Sequence, residues 1–115
     1  AQRLVRVLCE DCKQEYLPDE AECEFLNVDN LNPPKIYHAA GCDSCNRLGY
    51  KGRIGIYEFI EVDEQLRTLI HSQVSEQDLA RYAHSKGKNI SDDGRAKVLD
   101  GITTLEEVLR VTREA

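Results

Sequence analysis

This sequence of 115 residues has no tryptophan, no methionine and only two phenylalanines, so a buried core has to consist mainly of aliphatic side chains. No stretch approaches the roughly 18 apolar residues that a membrane-spanning helix needs, and the N-terminus has no apolar run typical of secretory signals. The sequence therefore predicts a cytoplasmic domain. The chain begins Ala-Gln-Arg, and we expect it to be an internal piece of a longer protein.

Motifs that mark nucleotide-binding and hydrolytic sites are also missing. The chain contains no G-x-x-x-x-G-K-[ST] phosphate loop, no G-x-G-x-x-G dinucleotide fingerprint and no H-E-x-x-H metalloprotease pair. Its formal net charge of −6 opposes binding to the phosphate backbone of nucleic acids. This piece alone is therefore predicted to have no catalytic machinery.

The strongest positive feature is a set of four paired cysteines. Cys9 and Cys12 form one C-x-x-C pair, and Cys42 and Cys45 form a second, with 29 residues between the pairs. Two such pairs supply the four thiolates of a closed tetrahedral site, which suits borderline-soft Zn²⁺. A closed site leaves no position for water or substrate, so we predict structural zinc, which contributes on the order of 10 kcal/mol to folding.

Other chemistries of paired cysteines remain as alternatives. Disulfides suit a secreted chain rather than a reducing cytosol, and neither pair follows a core strand and opens a helix as in thioredoxin-like redox motifs. The spacing also resembles that of rubredoxins, which bind one redox-active iron, although rubredoxins have glycine after each pair where this chain has Lys13 and Asn46. The alternative functions are therefore a rubredoxin-like electron carrier and a zinc-ribbon nucleic-acid binder, and metal analysis decides between zinc and iron.

The fifth cysteine and the histidines are weaker candidates. Cys23 lies in an acidic segment, and we interpret it as a small buried hydrophobe. His38 precedes Cys42 by four residues, but four cysteines already saturate zinc. His71 and His84 lie near the ends of predicted helices without a partner that spacing can identify, so we assign them no catalytic role.

Several cations lie close to the cysteines in sequence. A tetrathiolate zinc site lowers the formal charge of the chain from −6 to about −8. We expect nearby cations to compensate this charge: Arg3, Arg6, Lys13, Arg47, Lys51 and Arg53.

The first half of the chain is predicted to contain short elements. Residues 1–8 fit either a helix end or a strand. A short acidic helix is predicted to begin at Pro18 or Asp19, and residues 35–39 are predicted to form a strand after the Pro33-Pro34 break.

The second half is predicted to contain one strand and several helices. A turn over residues 49–52 precedes a predicted strand over 53–62, in which Ile54, Ile56, Ile60 and Val62 share one face. Helices are predicted to follow Asp63 and Ser75, the second stopping at Gly87, then a segment opened by Asp92 and Asp93, and a last helix with a capping box of Thr103 and Glu106. The fold class is a small α+β fold: a tetracysteine zinc-binding module over residues 1–50 and a strand plus helical subdomain over 51–115.

Longer sequence stretches resemble the type II secretion traffic ATPases of the general secretory pathway protein E family, which are related to type IV pilus assembly ATPases. The resemblance runs nearly end to end. It rests on residues 1–12 (AQRLVRVLCEDC), 41–46 (GCDSCN), 49–58 (GYKGRIGIYE), 92–94 (DDG) and 101–112 (GITTLEEVLRVT).

The resemblance implies a place for this piece in a larger machine. The parent would be a cytoplasmic hexameric ATPase on the inner membrane, held there by secretion platform proteins and driving pseudopilus assembly. Its ATP and magnesium would bind an upstream core absent here, onto which the C-terminal helices pack. Within this chain, the resemblance implies a role for four residues only, the zinc ligands Cys9, Cys12, Cys42 and Cys45. The exported cargo and the contact partner of the zinc module are not indicated.

Overall fold

A computed structural model describes residues 2–60, 62–86 and 89–112. Four strands and five helices follow in the order β1 (Gln2–Leu8), β2 (Gln14–Tyr16), α1 (Glu20–Leu26), β3 (Ile36–His38), β4 (Tyr50–Tyr57), α2 (Glu64–His71), α3 (Glu76–Lys86), α4 (Ile90–Leu99) and α5 (Leu105–Thr112), with a short 3₁₀ turn at Asp43–Cys45. The predicted α+β class, with short strands followed by helices, is confirmed. Within these ranges, none of the helices has the length and apolarity needed to span a bilayer.

Two small antiparallel sheets hold the first half of the chain together. β1 pairs with β4, with Val5 opposite Ile54, and the register shifts between Arg6 and Leu8. β2 pairs with β3. The segment 1–8 fitted either a helix end or a strand, and its described residues, Gln2–Leu8, form a strand. The division into 1–50 and 51–115 stays a prediction, and the β1–β4 ladder runs across that boundary.

The strand predicted over residues 53–62 differs from the observed one at both ends. β4 begins at Tyr50, inside the predicted turn, because β1 already pairs there through Leu8. It ends at Tyr57, which is opposite Gln2, so the described part of β1 offers no partner further along. Ile60 and Val62, predicted to share one face of the strand with Ile54 and Ile56, lie beyond its end and are more than half exposed.

Short polar side chains cap most of the helices as expected. Asp19 accepts from the amide of Glu22 at the start of α1, and Asp63 accepts from the amide of Leu66 at the start of α2. The Ser75 hydroxyl likewise accepts from the Asp78 amide before α3. The predicted stop at Gly87 lies outside the described residues.

The last two helices begin at other residues than predicted. α4 is capped by Asn89 and starts two residues before the predicted Asp92, whose carboxylate completes a capping box at the third helical position. In α5 the capping hydroxyl belongs to Thr104, which accepts from the Glu107 amide at 3.2 Å. The predicted pair of Thr103 and Glu106 was therefore wrong by one residue.

The hydrophobic core joins elements from both halves of the sequence. Its central members come from α1, β3, α4 and α5: Leu26, Ile36, Val98, Leu105 and Val108. A β-carbon at buried Gly94 of α4 would lie 2.6 Å from the Val108 side chain, so only glycine lets α4 and α5 approach this closely. α2 and α3 pack mainly on each other. The first half of the chain, which carries the four cysteines, thus shares its hydrophobic core with α4 and α5 rather than with α2 and α3.

Candidate metal centre

The four paired cysteines meet at one point between the end of β1 and the start of β4. Their sulfur atoms all lie within 4.8 Å of one another. The Cys9–Cys42 and Cys12–Cys45 sulfur pairs are 3.8 Å apart and the Cys42–Cys45 pair 3.7 Å. A tetrahedron with Zn–S bonds of about 2.3 Å has edges of about 3.8 Å. The donor set and its spacing therefore fit a tetrathiolate zinc ion, and all four residues are free thiols.

Each cysteine pair sits in a tight backbone turn. In the first, the Lys13 amide donates to the Cys9 carbonyl at 3.0 Å, and in the second the Arg47 amide donates to the Cys42 carbonyl at 2.8 Å. Asn46 and Arg47 both adopt the left-handed region, with φ of 55° and 66°. Asparagine tolerates this region well, which explains how the second turn forms without the glycine found in rubredoxins.

Backbone amides point at the sulfur atoms. The Gly41 amide donates to the Cys12 sulfur at 3.3 Å, and the Cys42 and Gly49 amides donate to the Cys45 sulfur at 3.3 Å and 3.1 Å. Burial opposes ionisation of Cys45, but these two amides outweigh it and lower its pKa to about 6. Burial raises the pKa of the Cys42 thiol to about 11. Since metal binding requires thiolates, an entering ion displaces protons from this cluster.

Three of the cations predicted to compensate the charge of the metal centre contact other partners. The Arg47 side chain is 2.8 Å from the Asp43 carboxylate, and Lys51 donates to the Ser44 hydroxyl. The Lys13 ammonium donates to a backbone carbonyl at Gly101. Compensation of the charge of the site by these cations therefore stays a prediction.

One buried charged residue was missed by the sequence analysis. Glu107 in α5 is 2% exposed and accepts from the Arg6 amide at 2.7 Å, from the Arg6 side chain at 3.1 Å and from Arg110 at 2.9 Å. Burial opposes its ionisation, but the hydrogen bonds from Arg110 and Arg6 prevail and lower the pKa of Glu107 to about 2. Nothing in the local pattern distinguishes it from its exposed neighbour Glu106.

The weaker candidates stay apart from the cluster. Cys23 is buried, donates weakly to the Pro18 carbonyl, and its pKa is raised by burial. His38 packs edge-on against the Tyr16 ring and is not among the grouped ligand atoms of the described residues. His71 ends α2 at the surface, and the side chain of His84 lies outside the described part of the chain.

The sequence of this chain is similar to those of known secretion proteins. The family profile described as type II/IV secretion system protein matches residues 1–110. The chain therefore belongs to this family of secretion proteins.

Three relatives place the chain more closely. It is 57% identical over 114 residues to type II secretion system protein E of Pseudomonas aeruginosa and 46% identical over 115 residues to type II secretion system ATPase E of Vibrio cholerae, covering 99% and 100% of this chain and 23% of each relative. Type IV pilus assembly ATPase TfpB of Acinetobacter baylyi is 44% identical over 114 residues, covering 96% of this chain and 20% of that protein. The chain thus spans between a fifth and a quarter of the length of these relatives.

Proposed function

We propose that this chain is the non-catalytic, zinc-binding C-terminal part of a secretion ATPase. The observation that carries the proposal is the tetrahedral spacing of the sulfur atoms of Cys9, Cys12, Cys42 and Cys45 in a chain of this family. The parent hydrolyses ATP as a hexamer to power type II secretion through pseudopilus assembly. ATP and magnesium bind the upstream core, and nucleic acid has no part.

We infer the surroundings of this chain in the proposed machine from its family membership. The upstream ATPase core and neighbouring subunits of the hexamer are its direct partners. Inner-membrane platform proteins hold the whole assembly at the cytoplasmic face. The names of the relatives, which include both type II secretion and type IV pilus assembly ATPases, support this placement.

The role of the cysteine residues in this proposal is to fasten two segments of backbone. Cys9 directly follows β1, and Cys45 lies five residues before β4 begins. The Cys9 amide donates to the Gly49 carbonyl at 3.0 Å, so these two segments of backbone are in direct contact. A bound zinc ion supplies a cross-link of four Zn–S bonds. Because all four positions are protein thiolates, the residues present offer no open position for a substrate.

The metal assignment makes a direct prediction about composition. The purified chain is expected to contain one zinc per molecule, and the Co²⁺-substituted form should show the ligand-field and thiolate charge-transfer bands of a tetrahedral tetrathiolate. Elemental analysis together with absorption spectroscopy measures both. A red protein with one iron per chain, prepared without added iron, would contradict the assignment and favour the electron carrier.

The functional assignment is tested in the full-length parent. Replacing Cys42 with serine should lower the ATPase rate at least several-fold, because the cross-link shapes the region that packs on the core, while nucleotide affinity stays within twofold. Steady-state ATPase assays and a fluorescent-nucleotide titration separate the two effects. The matched control is Cys23→Ser, which removes a cysteine outside the cluster. An unchanged ATPase rate in Cys42→Ser would remove the proposed role.

A further inference from the structure

We propose that metal binding by the four cysteines and docking of α5 onto β1 are energetically coupled. The inference rests on the proposed zinc site and adds a conformational role to it. An unbroken series of contacts runs from the first cysteine turn to the turn that precedes α5, and from there into the helix itself.

The series begins at Lys13, the residue after Cys12. Its ammonium donates to the Gly101 carbonyl at 3.0 Å and lies 4.6 Å from the centre of the Tyr37 ring. Gly101 has φ of +75°, and a β-carbon there would lie 2.9 Å from Tyr37. The turn before α5 therefore lies between the first cysteine turn and β3. β3 in turn leads along the chain to the second cysteine turn.

The series continues along β1, which ends immediately before Cys9. The Leu8 amide donates to the Ile102 carbonyl at 2.8 Å, and the Thr103 hydroxyl donates to the Arg6 carbonyl at 2.6 Å. The Arg6 amide in turn donates to the buried Glu107 carboxylate inside α5. Successive residues of the turn and the first turn of α5 are thus fixed by β1.

The α2–α3 pair provides an internal reference. Within the described residues these helices pack mainly on each other. The Thr68 hydroxyl donates to the Glu64 carbonyl inside α2, and the Tyr82 hydroxyl of α3 donates to the Asp63 carboxylate that caps α2. They share no part of the series from Lys13 to Glu107. Ordering of the cysteine turns by metal should therefore stabilise α5 much more than it stabilises α2 and α3.

Linkage makes the coupling measurable from the metal side, because the factor by which metal binding favours α5 docking is also the factor by which docking favours metal binding. A substitution that releases α5 should therefore weaken metal binding by up to that factor. In the full chain, Thr103→Val removes the bond to Arg6 and keeps the charge and the branched shape of the side chain. We expect it to raise the Zn²⁺ dissociation constant about three- to tenfold, measured by competition with a chromophoric chelator. The matched control is Thr68→Val in α2, which should leave the constant within twofold. Equal constants for the two variants would overturn the coupling.

A charge-changing variant separates coupling from simple electrostatics. Glu107→Gln removes a negative charge, which by Coulomb interaction alone would strengthen formation of a site of charge −2. Coupling through α5 predicts the reverse, a Zn²⁺ dissociation constant raised about tenfold. A lowered constant would contradict the proposal.

Amide hydrogen exchange of the wild-type chain needs no substitution. Adding Zn²⁺ should increase protection over residues 101–112 at least tenfold, and more than over residues 64–86. Equal or smaller gains in 101–112 would overturn the coupling while leaving the zinc site itself intact. A chain that binds no Zn²⁺ at all would instead refute the proposed metal centre, and the coupling with it.

Discussion

Replacing Cys45 with serine should abolish stoichiometric zinc binding and cause a large loss of the thermal stability of the chain. Cys45 is the most hydrogen-bonded sulfur of the cluster, 3% exposed, and it accepts from the amides of Cys42 and Gly49. A structural zinc site contributes on the order of 10 kcal/mol, which is comparable with the whole stability of a small domain. Elemental analysis and circular dichroism on heating measure the two losses.

The fifth cysteine supplies the control for that experiment. Cys23→Ser changes the same atom in a buried position outside the cluster. It should retain one zinc per chain and lose only about 1–3 kcal/mol, the cost of placing a hydroxyl in an apolar site. If Cys45→Ser also kept its zinc and unfolded at the wild-type temperature, the four sulfurs would not form a structural centre.

Replacing Glu107 with glutamine should destabilise the chain by about 3 kcal/mol at neutral pH. The free energy follows from the difference between the pKa of about 2 in the folded chain and the ordinary value of about 4.3. The charged carboxylate is held by Arg6 and Arg110, and the amide side chain cannot replace both interactions. Urea unfolding of both proteins measures the difference in free energy.

The same substitution has a distinctive pH dependence. Because the pKa of Glu107 is lowered by folding, its contribution is complete above about pH 5 and is lost as the pH falls from about 4.3 towards 2. The wild-type and Glu107→Gln stabilities should therefore converge in that window. Glu106→Gln, at the exposed neighbouring residue, should show no such convergence. A stability difference that stayed constant down to pH 2 would contradict the assigned role of Glu107.

Much of the candidate site could be predicted from the sequence. The C-x-x-C spacing depends on local geometry, so the two turns around Cys9 and Cys42 form much as the pattern indicates. The caps at Asp19 and Asp63 were equally predictable, since a short acceptor before an apolar helical pattern acts within four residues.

The features that the sequence could not predict depend on distant partners. β4 ends at Tyr57, opposite Gln2 of β1, and the sequence of the residues that follow Tyr57 does not mark this end. Thr103 and Thr104 are chemically equal as caps, and Thr103 is removed from that role by a carbonyl 97 residues earlier, at Arg6. Glu107 is buried for the same reason, because its partner Arg6 lies at the other end of the chain.

A hydrogen bond outside the metal centre and the core joins the end of β4 to the start of α4. The Tyr57 amide at the end of β4 donates to the Asp93 carboxylate in the first turn of α4 at 2.9 Å. The segment that contains α2 and α3 therefore starts and ends at neighbouring positions, and this hydrogen bond holds its two ends together. We expect that such a segment can be shortened, extended or exchanged between homologues without moving β4 or α4. Residues 58–89 are thus the natural place for insertions and deletions in this part of the secretion protein.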